Sequence, residues 1–320
     1  MKQSKILVVG SFVMDLIVRS HRFVNAGETI LGEDYHTASG GKGANQAVQA
    51  ALLGADVTMM GKVGDDDFGR QMIASLNQVG ANTQKVVVTS DTSSAIGNVQ
   101  IQVNEQGTQN RIVVISGANM TITPEEVAFL KEEIAAYDMV LLQLEIPMQI
   151  NEIVAKYAFD KGVPVMLNSA PSAPLSDELL SHLTYISPNE HEAADMVGFA
   201  VSDEDSCVRA VEALRRKGVK NVLITRGSEG AAFGDENGVQ FSACVKCEKV
   251  VDPTAAGDSF VGAFCTAICA GLKPAEAMVF ANHTASITVS RMGAQPSLPT
   301  LEMVLDLMKQ NHVDLTPYTM

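Results

Sequence analysis

Two hydrophobic periods follow one another along most of the chain. In "KGANQAVQAALLG", apolar residues from Ala44 to Leu52 recur at the i, i+3, i+4, i+7 spacing of a helix, and Gly54 follows as its stop. Short apolar runs flank this helix and recur later, as "KILVVG", "DVTMMG", "DMVLLQL", "VPVMLN", "LTYISPN" and "NVLITRG". Strands spaced by helices predict an α/β fold, with a mostly parallel sheet covered by helices on both faces.

Two segments break this rhythm. Residues 13–35 carry no helical pattern, and further along Val99, Ile101 and Val103 alternate with glutamines before the turn "NEQGTQN". This alternation predicts antiparallel strands with one apolar face. The two segments are too small to form a domain, so we expect them to combine into one small sheet.

The predicted organisation is therefore a core with an inserted β-sheet lid. The core comprises residues 1–12, 36–91 and 117–320, and the lid comprises residues 13–35 and 92–116. The apolar face of residues 97–103 would be exposed on a monomer, so we expect a homodimer that forms through the lid.

The amino-acid composition restricts the kinds of molecule that the protein is expected to bind. The 320 residues are 46% hydrophobic and 19% charged, as in an ordinary globular protein, and the net charge of −14 argues against binding to nucleic acid or an acidic membrane. "MKQSKILVVG" enters a strand directly, and no apolar run approaches membrane length, so we expect a cytoplasmic protein. The five scattered cysteines suit reduced thiols.

The stretch "DPTAAGDSF", residues 252–260, is the first candidate for chemistry. Apolar residues at multiples of four follow it, so Asp258 lies near a helix N-terminus. Asp258 could be only the cap of that helix. However, Ala255, Ala256 and Gly257 leave the backbone amides bare, as an anion hole requires. A base beside an anion hole suggests acyl or phosphoryl transfer.

Polar residues that suit a polyol come from other segments. The loop "SGGKGANQA" fails the nucleotide-binding glycine patterns, yet Gly41 exposes backbone while Lys42 and Asn45 supply donors. Asp15 and Glu145 follow predicted strands, and ligands of open α/β sheets bind where strands end. A carboxylate can accept hydrogen bonds from two adjacent hydroxyls. A plain loop and two surface acids remain the alternative interpretation.

Two further loops offer sites for a nucleotide and its metal. In "PNEHE", Asn189 and Glu192 would face the same side of a helix start and could hold Mg²⁺ with its waters. "TRGSEG", residues 225–230, follows a strand and is either a turn or a nucleotide loop.

Two long motifs resemble those of the ribokinase-like sugar kinases. They are "GGKGANQAVQAALLGADVTMMGKVGDDDFG" and "DPTAAGDSF", and the likeness extends from end to end of the chain. The resemblance implies a Rossmann-like core with a small β lid that often forms the dimer interface. It also implies ATP-dependent phosphorylation of a sugar hydroxymethyl group, with Asp258 as the base and the amides of residues 255–257 as the anion hole.

The resemblance assigns the remaining residues by position. It implies sugar contacts for Asp15, Gly41, Lys42, Asn45 and Glu145. It places Asn189 and Glu192 near Mg²⁺ and phosphate, and it places Thr225, Gly227, Gly230 and Asn282 along the nucleotide pocket. A monovalent-cation loop, which usually takes K⁺, would comprise Asp252, Thr254, Gly293 and Ser297.

One position departs from the family pattern. Ribose kinases commonly read Gly-Ser-Ile-Asn after the first strand, whereas this chain reads "GSFV", and Val13 cannot donate a hydrogen bond. We expect phosphorylation of the 5-hydroxyl of a pentose, with D-ribose as the first choice and 2-deoxyribose as the nearest rival. A nucleoside or vitamin kinase of the same fold and a catalytically silent sugar-binding regulator are more distant rivals.

Overall fold

The computed structural model describes residues 3–104 and 107–318, and within them the chain forms two sheets flanked by helices. The strands in chain order are β1 (Lys5–Val9), β2 (Val13–Ser20), β3 (Asp34–Gly40), β4 (Asp56–Gly64), β5 (Asn82–Thr89), β6 (Ile96–Asn104), β7 (Gly107–Ile115), β8 (Met139–Gln143), β9 (Val165–Asn168), β10 (Tyr185–Ser187), β11 (Asn221–Thr225), β12 (Ala231–Asp235) and β13 (Gly238–Ser242).

The helices lie mostly between strands of the larger sheet. They are α1 (Lys42–Leu52), α2 (Asp67–Gln78), α3 (Pro124–Val127), α4 (Leu130–Glu133), α5 (Met148–Asp160), α6 (Asp177–His182), α7 (Glu190–Val197), α8 (Glu204–Arg216), α9 (Ala256–Cys269), α10 (Pro274–Val289) and α11 (Leu301–Gln310). In the described residues no helix is long and apolar enough to span a bilayer.

The larger sheet has nine strands in the order β13-β12-β11-β10-β9-β8-β1-β4-β5. The pairings from β5 to β11 are parallel, and those of β12 and β13 are antiparallel. Successive residues of a strand point to opposite faces. Ile6 and Val8 therefore join the core beneath α1, α2, α9, α10 and α11, whereas Leu7 and Val9 join the core beneath α3 to α8. This arrangement confirms the predicted α/β fold with helices on both faces.

The smaller sheet contains four strands in the order β3-β2-β6-β7. The two segments without helical pattern thus combine as predicted, with β2 antiparallel to β3 and parallel to β6. Strand β3 continues to Gly40, so the small sheet extends five residues beyond the boundary expected at residue 35. Of the predicted turn, residues 105–106 lie outside the described residues.

The exposed apolar surface of the small sheet differs from the expectation. Gly97 is buried, and Val99 and Ile101 are half-buried in β6, which has a neighbour on each side. Within the face expected at residues 97–103 the exposed position is Val103. Four consecutive exposed apolar side chains belong instead to the edge strand β7, at Ile112, Val113, Val114 and Ile115, each more than half exposed.

Two sets of hydrogen bonds fix the small sheet against the ends of the larger one. Asn119 exchanges hydrogen bonds with the backbone of Phe12, which links β1 to β2, at 3.0 and 2.7 Å. Asp66, the cap of α2, accepts from the backbone N–H and the hydroxyl of Ser94, just before β6. The small sheet is therefore held over the carboxyl ends of β1 and β8, where an open α/β sheet binds its ligands.

Candidate active site

A cavity of about 850 Å³ lies between the small sheet and the carboxyl ends of the large-sheet strands. Its lining includes all five predicted sugar contacts together with the predicted base. They are Asp15, Gly41, Lys42, Asn45, Glu145 and Asp258. Residues from distant parts of the chain are thus brought to one concave site, which is the ordinary form of a small-molecule pocket.

Asp258 is the third residue of α9, and its side chain is buried. Both carboxylate oxygens accept hydrogen bonds from α1: Oδ2 accepts from Asn45 Nδ2 at 2.9 Å and Oδ1 from Gln46 Nε2 at 3.1 Å. The carboxylate is therefore held in one orientation at the cavity wall. Ala255 occupies the N-cap position, so Asp258 is not the helix cap.

The first turn of α9 has the backbone of an anion hole. Ala255 adopts a left-handed conformation, with φ 60° and ψ 8°, which costs a non-glycine residue about 1–3 kcal/mol. In the described residues, no side-chain hydrogen bond caps this helix. A β-carbon on Gly257 would have nothing within 4 Å, so the space in front of its backbone is open. The first amides of a helix lack intrahelical partners and favour an anion.

Asp15 projects from β2 between two glycines of the neighbouring strands. A β-carbon at Gly97 would collide with its Oδ1, and one at Gly40 would lie 3.1 Å from its Oδ2, so both glycines leave room for the carboxylate. Burial, followed by the charges of Glu145 and Asp252, raises the pKa of Asp15 to about 6. The three carboxylates therefore repel one another across the cavity.

Lys42 supplies positive charge at the start of α1. Burial acts to lower the pKa of Lys42, but the carboxylates of Asp258, Glu145 and Glu192 raise it above its usual value. Glu145 is fixed nearby, because its Oε2 accepts from the backbone N–H of Lys42 at 3.0 Å and from Ser11 Oγ at 2.5 Å. Gly41 precedes the helix with φ 92°, and a side chain there would meet the backbone of the β1–β2 connection.

The predicted nucleotide residues lie outside this cavity lining and form a separate group of turns. Asn189 caps α7 and exchanges hydrogen bonds with Glu192 as a capping box. Thr225 N–H donates to the carbonyl of Pro188, which joins this turn to the end of β11. Burial raises the pKa of Glu192.

The glycines and Asn282 define the far end of this group. Gly227 and Gly230 have φ 46° and 97°, and a β-carbon on Gly230 would collide with the backbone of residues 242–244. Asn282 is buried and donates to Ser242 Oγ at 2.9 Å and to the carbonyl of Ala243 at 3.1 Å. Asn282 therefore holds the segment that packs on the Gly230 turn.

The predicted cation loop is joined by Asp252. Its Oδ1 accepts from Thr254 N–H and its Oδ2 from Gly293 N–H, both at 2.9 Å. Ser297 is fully buried and donates to the carbonyl of Ala294 at 2.7 Å. The structure thus brings Asp252, Thr254 and Gly293 together directly, with Ser297 in the same turn as Ala294.

Three functional side chains were missed by reasoning from the sequence. Gln46, Gln143 and Asn168 are buried polar residues linked to Asp258. The available signal was the polar residue that ends each of the apolar strands β8 and β9, since a buried polar side chain requires partners.

The fold and cavity define a phosphotransferase type of site, with a held carboxylate, a cation and a bare helix start around a polar pocket. Comparison with known proteins assigns the family. The profile of the family described as pfkB family carbohydrate kinase matches residues 3–301.

Individual relatives agree with that profile. The chain is 38% identical to the ribokinase of Haemophilus influenzae, over 94% of this chain and 97% of that protein. It is 40% identical to the ribokinase of Schizosaccharomyces pombe, over 92% and 95%. Its structure matches that of Arabidopsis thaliana ribokinase complexed with ribose and ATP with a TM-score of 0.88, at 32% identity, covering 96% of this chain and 99% of that one. The chain belongs to the pfkB family of carbohydrate kinases, which confirms the expected sugar kinase.

Asp15 generates a pH prediction. Because its folded pKa is raised from 3.8 to about 6, the stability associated with this group is full below 3.8 and is lost as pH rises through 6. Asp15→Asn should therefore increase the free energy of unfolding by about 2–3 kcal/mol at pH 7.5 and by less than about 1 kcal/mol at pH 4. Urea denaturation at both pH values measures the difference. Asn at the exposed Asp91 is the control, and equal effects of Asp15→Asn at the two pH values would contradict the assignment.

Proposed function

We propose that the protein transfers the γ-phosphoryl group of ATP to the 5-hydroxyl of D-ribose, giving ribose 5-phosphate and ADP. The observation that carries the proposal is the buried Asp258 carboxylate, held by two donors in the first turn of a helix that has no side-chain cap among the described residues. Relatives named ribokinase and a structure with ribose and ATP bound support the choice of substrates. Because the reaction consumes ATP, the cytoplasm is the compartment we propose.

The sugar would bind between the small sheet and α1. Asp15 and Glu145 face the cavity as hydroxyl acceptors, and Lys42 and Asn45 offer donors beside the exposed backbone at Gly41. Paired carboxylates and donors suit adjacent hydroxyls, because each hydroxyl both donates and accepts. This arrangement would leave the terminal hydroxymethyl group towards Asp258.

In the reaction, the sugar 5-oxygen attacks the γ-phosphorus while the bond to the ADP oxygen breaks, and Asp258 takes the hydroxyl proton. Charge that develops on the phosphoryl oxygens would be held by the amides of Ala255–Gly257 at the positive end of α9. Lys42 adds a half-buried positive charge that acts on the same carboxylate. The base and the anion hole thus come from one helix turn.

ATP would lie along the second group of turns. We assign nucleotide contacts to Asn189, Thr225, Gly227, Gly230 and Asn282. No cluster of three His, Cys, Asp or Glu side chains among the described residues could hold a metal by itself. A Mg²⁺ ion would therefore be held by phosphates and waters, with Glu192 bonded through water, and it would neutralise phosphate charge.

We also propose a monovalent-cation site, for K⁺, at Asp252, Thr254, Gly293 and Ser297. Asp252 already joins the two loops, and each of its oxygens keeps a further lone pair. The Ser297 hydroxyl donates to Ala294 and so keeps its own oxygen available to a cation. The cation would order the backbone that precedes the anion hole.

The small sheet is proposed to serve as lid and homodimer interface. Strand β7 is an edge strand with four exposed apolar residues on its two faces, Ile112 to Ile115. Such an edge pairs readily with another chain unless it is protected. A second copy of this chain is the partner we propose.

Val13 favours a second candidate substrate, 2-deoxyribose. Val13 lines the cavity two residues from Asp15 and is buried. It cannot hydrogen-bond a sugar hydroxyl, so a substrate with one hydroxyl fewer would leave no polar group of this side chain unpaired.

The base assignment gives the first prediction. Asp258→Asn retains the shape of the side chain but cannot take a proton, so kcat should fall by about 10²–10⁴-fold with the fold and sugar binding preserved. Steady-state kinetics with a coupled ADP assay, beside calorimetric titration of the sugar, measure both quantities. Near-normal turnover would reject Asp258 as the base.

The proposed cation site gives a prediction about the dependence of activity on K⁺. Activity should rise when K⁺ replaces Na⁺ at constant ionic strength, because an ion held at Asp252 would order the amides of the neighbouring "TAAG" segment. Initial rates at saturating sugar and ATP make the comparison. Equal rates in the two salts would refute a functional K⁺ site.

The exposed edge strand gives a prediction about the oligomeric state. Light scattering at micromolar concentration should give twice the chain mass of 34.0 kDa. Val113→Glu should shift that value towards the monomer, because a charge on the apolar edge opposes pairing. A wild-type mass of one chain would count against the interface.

Val13 gives a prediction about sugar preference. The enzyme should accept 2-deoxyribose readily, and Val13→Asn should shift the preference towards ribose by about 1–2 kcal/mol if one hydrogen bond is gained. The measurement is kcat/KM for both sugars in both proteins. If wild type ignores 2-deoxyribose and the mutation leaves the ratio unchanged, Val13 does not sense the 2-hydroxyl.

A further inference from the structure

A row of buried amide side chains runs from Asp258 across the carboxyl ends of β8 and β9. We propose that Gln46 is a positioning residue that fixes the orientation of the Asp258 carboxylate, and that Gln143 acts through Gln46. This inference rests on the proposed role of Asp258 as base.

Gln46 is fully buried on α1 and contacts three polar partners. Its Nε2 donates to Asp258 Oδ1 at 3.1 Å and lies 3.3 Å from Asn168 Oδ1. Its Oε1 accepts from Gln143 Nε2 at 2.7 Å. Both Nε2 hydrogens are therefore used inside the protein, and Gln46 has no donor left for substrate.

Two independent contacts set the orientation of the Gln46 amide. Asp258 Oδ1 is a carboxylate oxygen and accepts, so the Gln46 nitrogen faces it and the Gln46 oxygen is turned to Gln143 Nε2. Asn168 Nδ2 donates to the carbonyl of Ser187 at 2.9 Å, so Asn168 presents its oxygen to the same nitrogen. Reversing the Gln46 amide would place oxygen against oxygen at Asp258 and Asn168, and nitrogen against nitrogen at Gln143.

The backbone is shaped to accept this row. Gln143, Asn168 and Ser187 are register partners in the parallel sheet, so their side chains share the face covered by α1 and α9. A β-carbon on Gly10 would collide with Gln143 Oε1, so the glycine leaves space for this side chain. Gln143 and Asn168 are therefore fixed by the sheet, and their hydrogen bonds to Gln46 fix the Asp258 carboxylate at the cavity.

The consequence concerns the geometry of proton transfer. With Oδ1 held by Gln46 and Oδ2 by Asn45, the carboxylate plane cannot rotate, and a remaining lone pair faces the cavity. The charged groups nearest this carboxylate are Lys42 of α1 and Glu192 of α7, and neither fixes its rotation by a hydrogen bond to it among the described residues. Loss of the Gln46 donor would let the base turn away from a correctly bound hydroxyl.

The test combines single and double variants with a matched control. Gln46→Met removes the donor at similar length, and kcat should fall by about 10–100-fold while the sugar KM changes by less than about 3-fold. Gln143→Met should lower kcat by about 3–10-fold, and adding it to Gln46→Met should cause no further loss, because Gln143 acts through Gln46. Gln49→Met is the control: Gln49 is a buried glutamine one turn along α1 that donates to the carbonyl of Pro299.

The outcomes separate this inference from the proposed function. If Asp258→Asn abolishes turnover but Gln46→Met behaves like Gln49→Met, the positioning role is wrong and the base assignment stands. If Asp258→Asn is active, the proposed base fails first. A fully additive double variant, or a loss confined to KM, also overturns the inference. Should Gln46→Met fail to fold, Gln46→Glu retains the acceptor for Gln143 and replaces the donor, and kcat must fall at least as far.

Discussion

The site depends on the close approach of α1 and α9. A β-carbon on Gly262 of α9 would lie 3.0 Å from the carbonyl oxygen of Gln46 and 3.1 Å from Gln49 Cβ, so the two helices pack nearly backbone to backbone. That proximity lets the short side chain of Asn45 and the longer one of Gln46 reach the carboxylate of Asp258. A wider separation would leave a buried charge without donors, which is costly. The side chain of the base is therefore held and oriented by helix packing.

Charge balance around the pocket follows from the same packing. The carboxylates of Glu145, Glu192 and Asp258 act on the half-buried Lys42. Asp15, Asp252 and Arg19 also line the cavity, so the empty site carries more negative than positive charge. The amides at the start of α9 offset part of that excess without adding a titratable group. The chain, with a net charge of −14, can thus hold an anionic substrate through local devices.

Patterns in the sequence predict the elements whose structure is decided by interactions among residues close together in the chain. The 3.6-residue period predicts α1, and Gly54 ends it with φ 95°, because burial of one face and a left-handed stop are both decided within a few residues. The glycine-rich loop and the "DPTAAGDSF" stretch predict one wall of the cavity for the same reason. The amide row does not follow from any local pattern, since Gln46 and Asp258 are 212 positions apart. Likewise, the exposed apolar surface lies on β7 because β7 is the edge strand whereas β6 has a neighbour on each side, and an alternation pattern does not specify strand order.

Gly40 and Gly97, the two glycines beside Asp15, have an electrostatic consequence. They seat one acidic group on the small sheet, while Glu145 follows β8 and Asp252 lies in the connection before α9, and these like charges repel one another across the cavity. A bound polyol would replace that repulsion with hydroxyl donors on both sides. The negative charge around the empty site would then favour a neutral polyol, whose hydroxyls relieve the repulsion between these carboxylates when it binds.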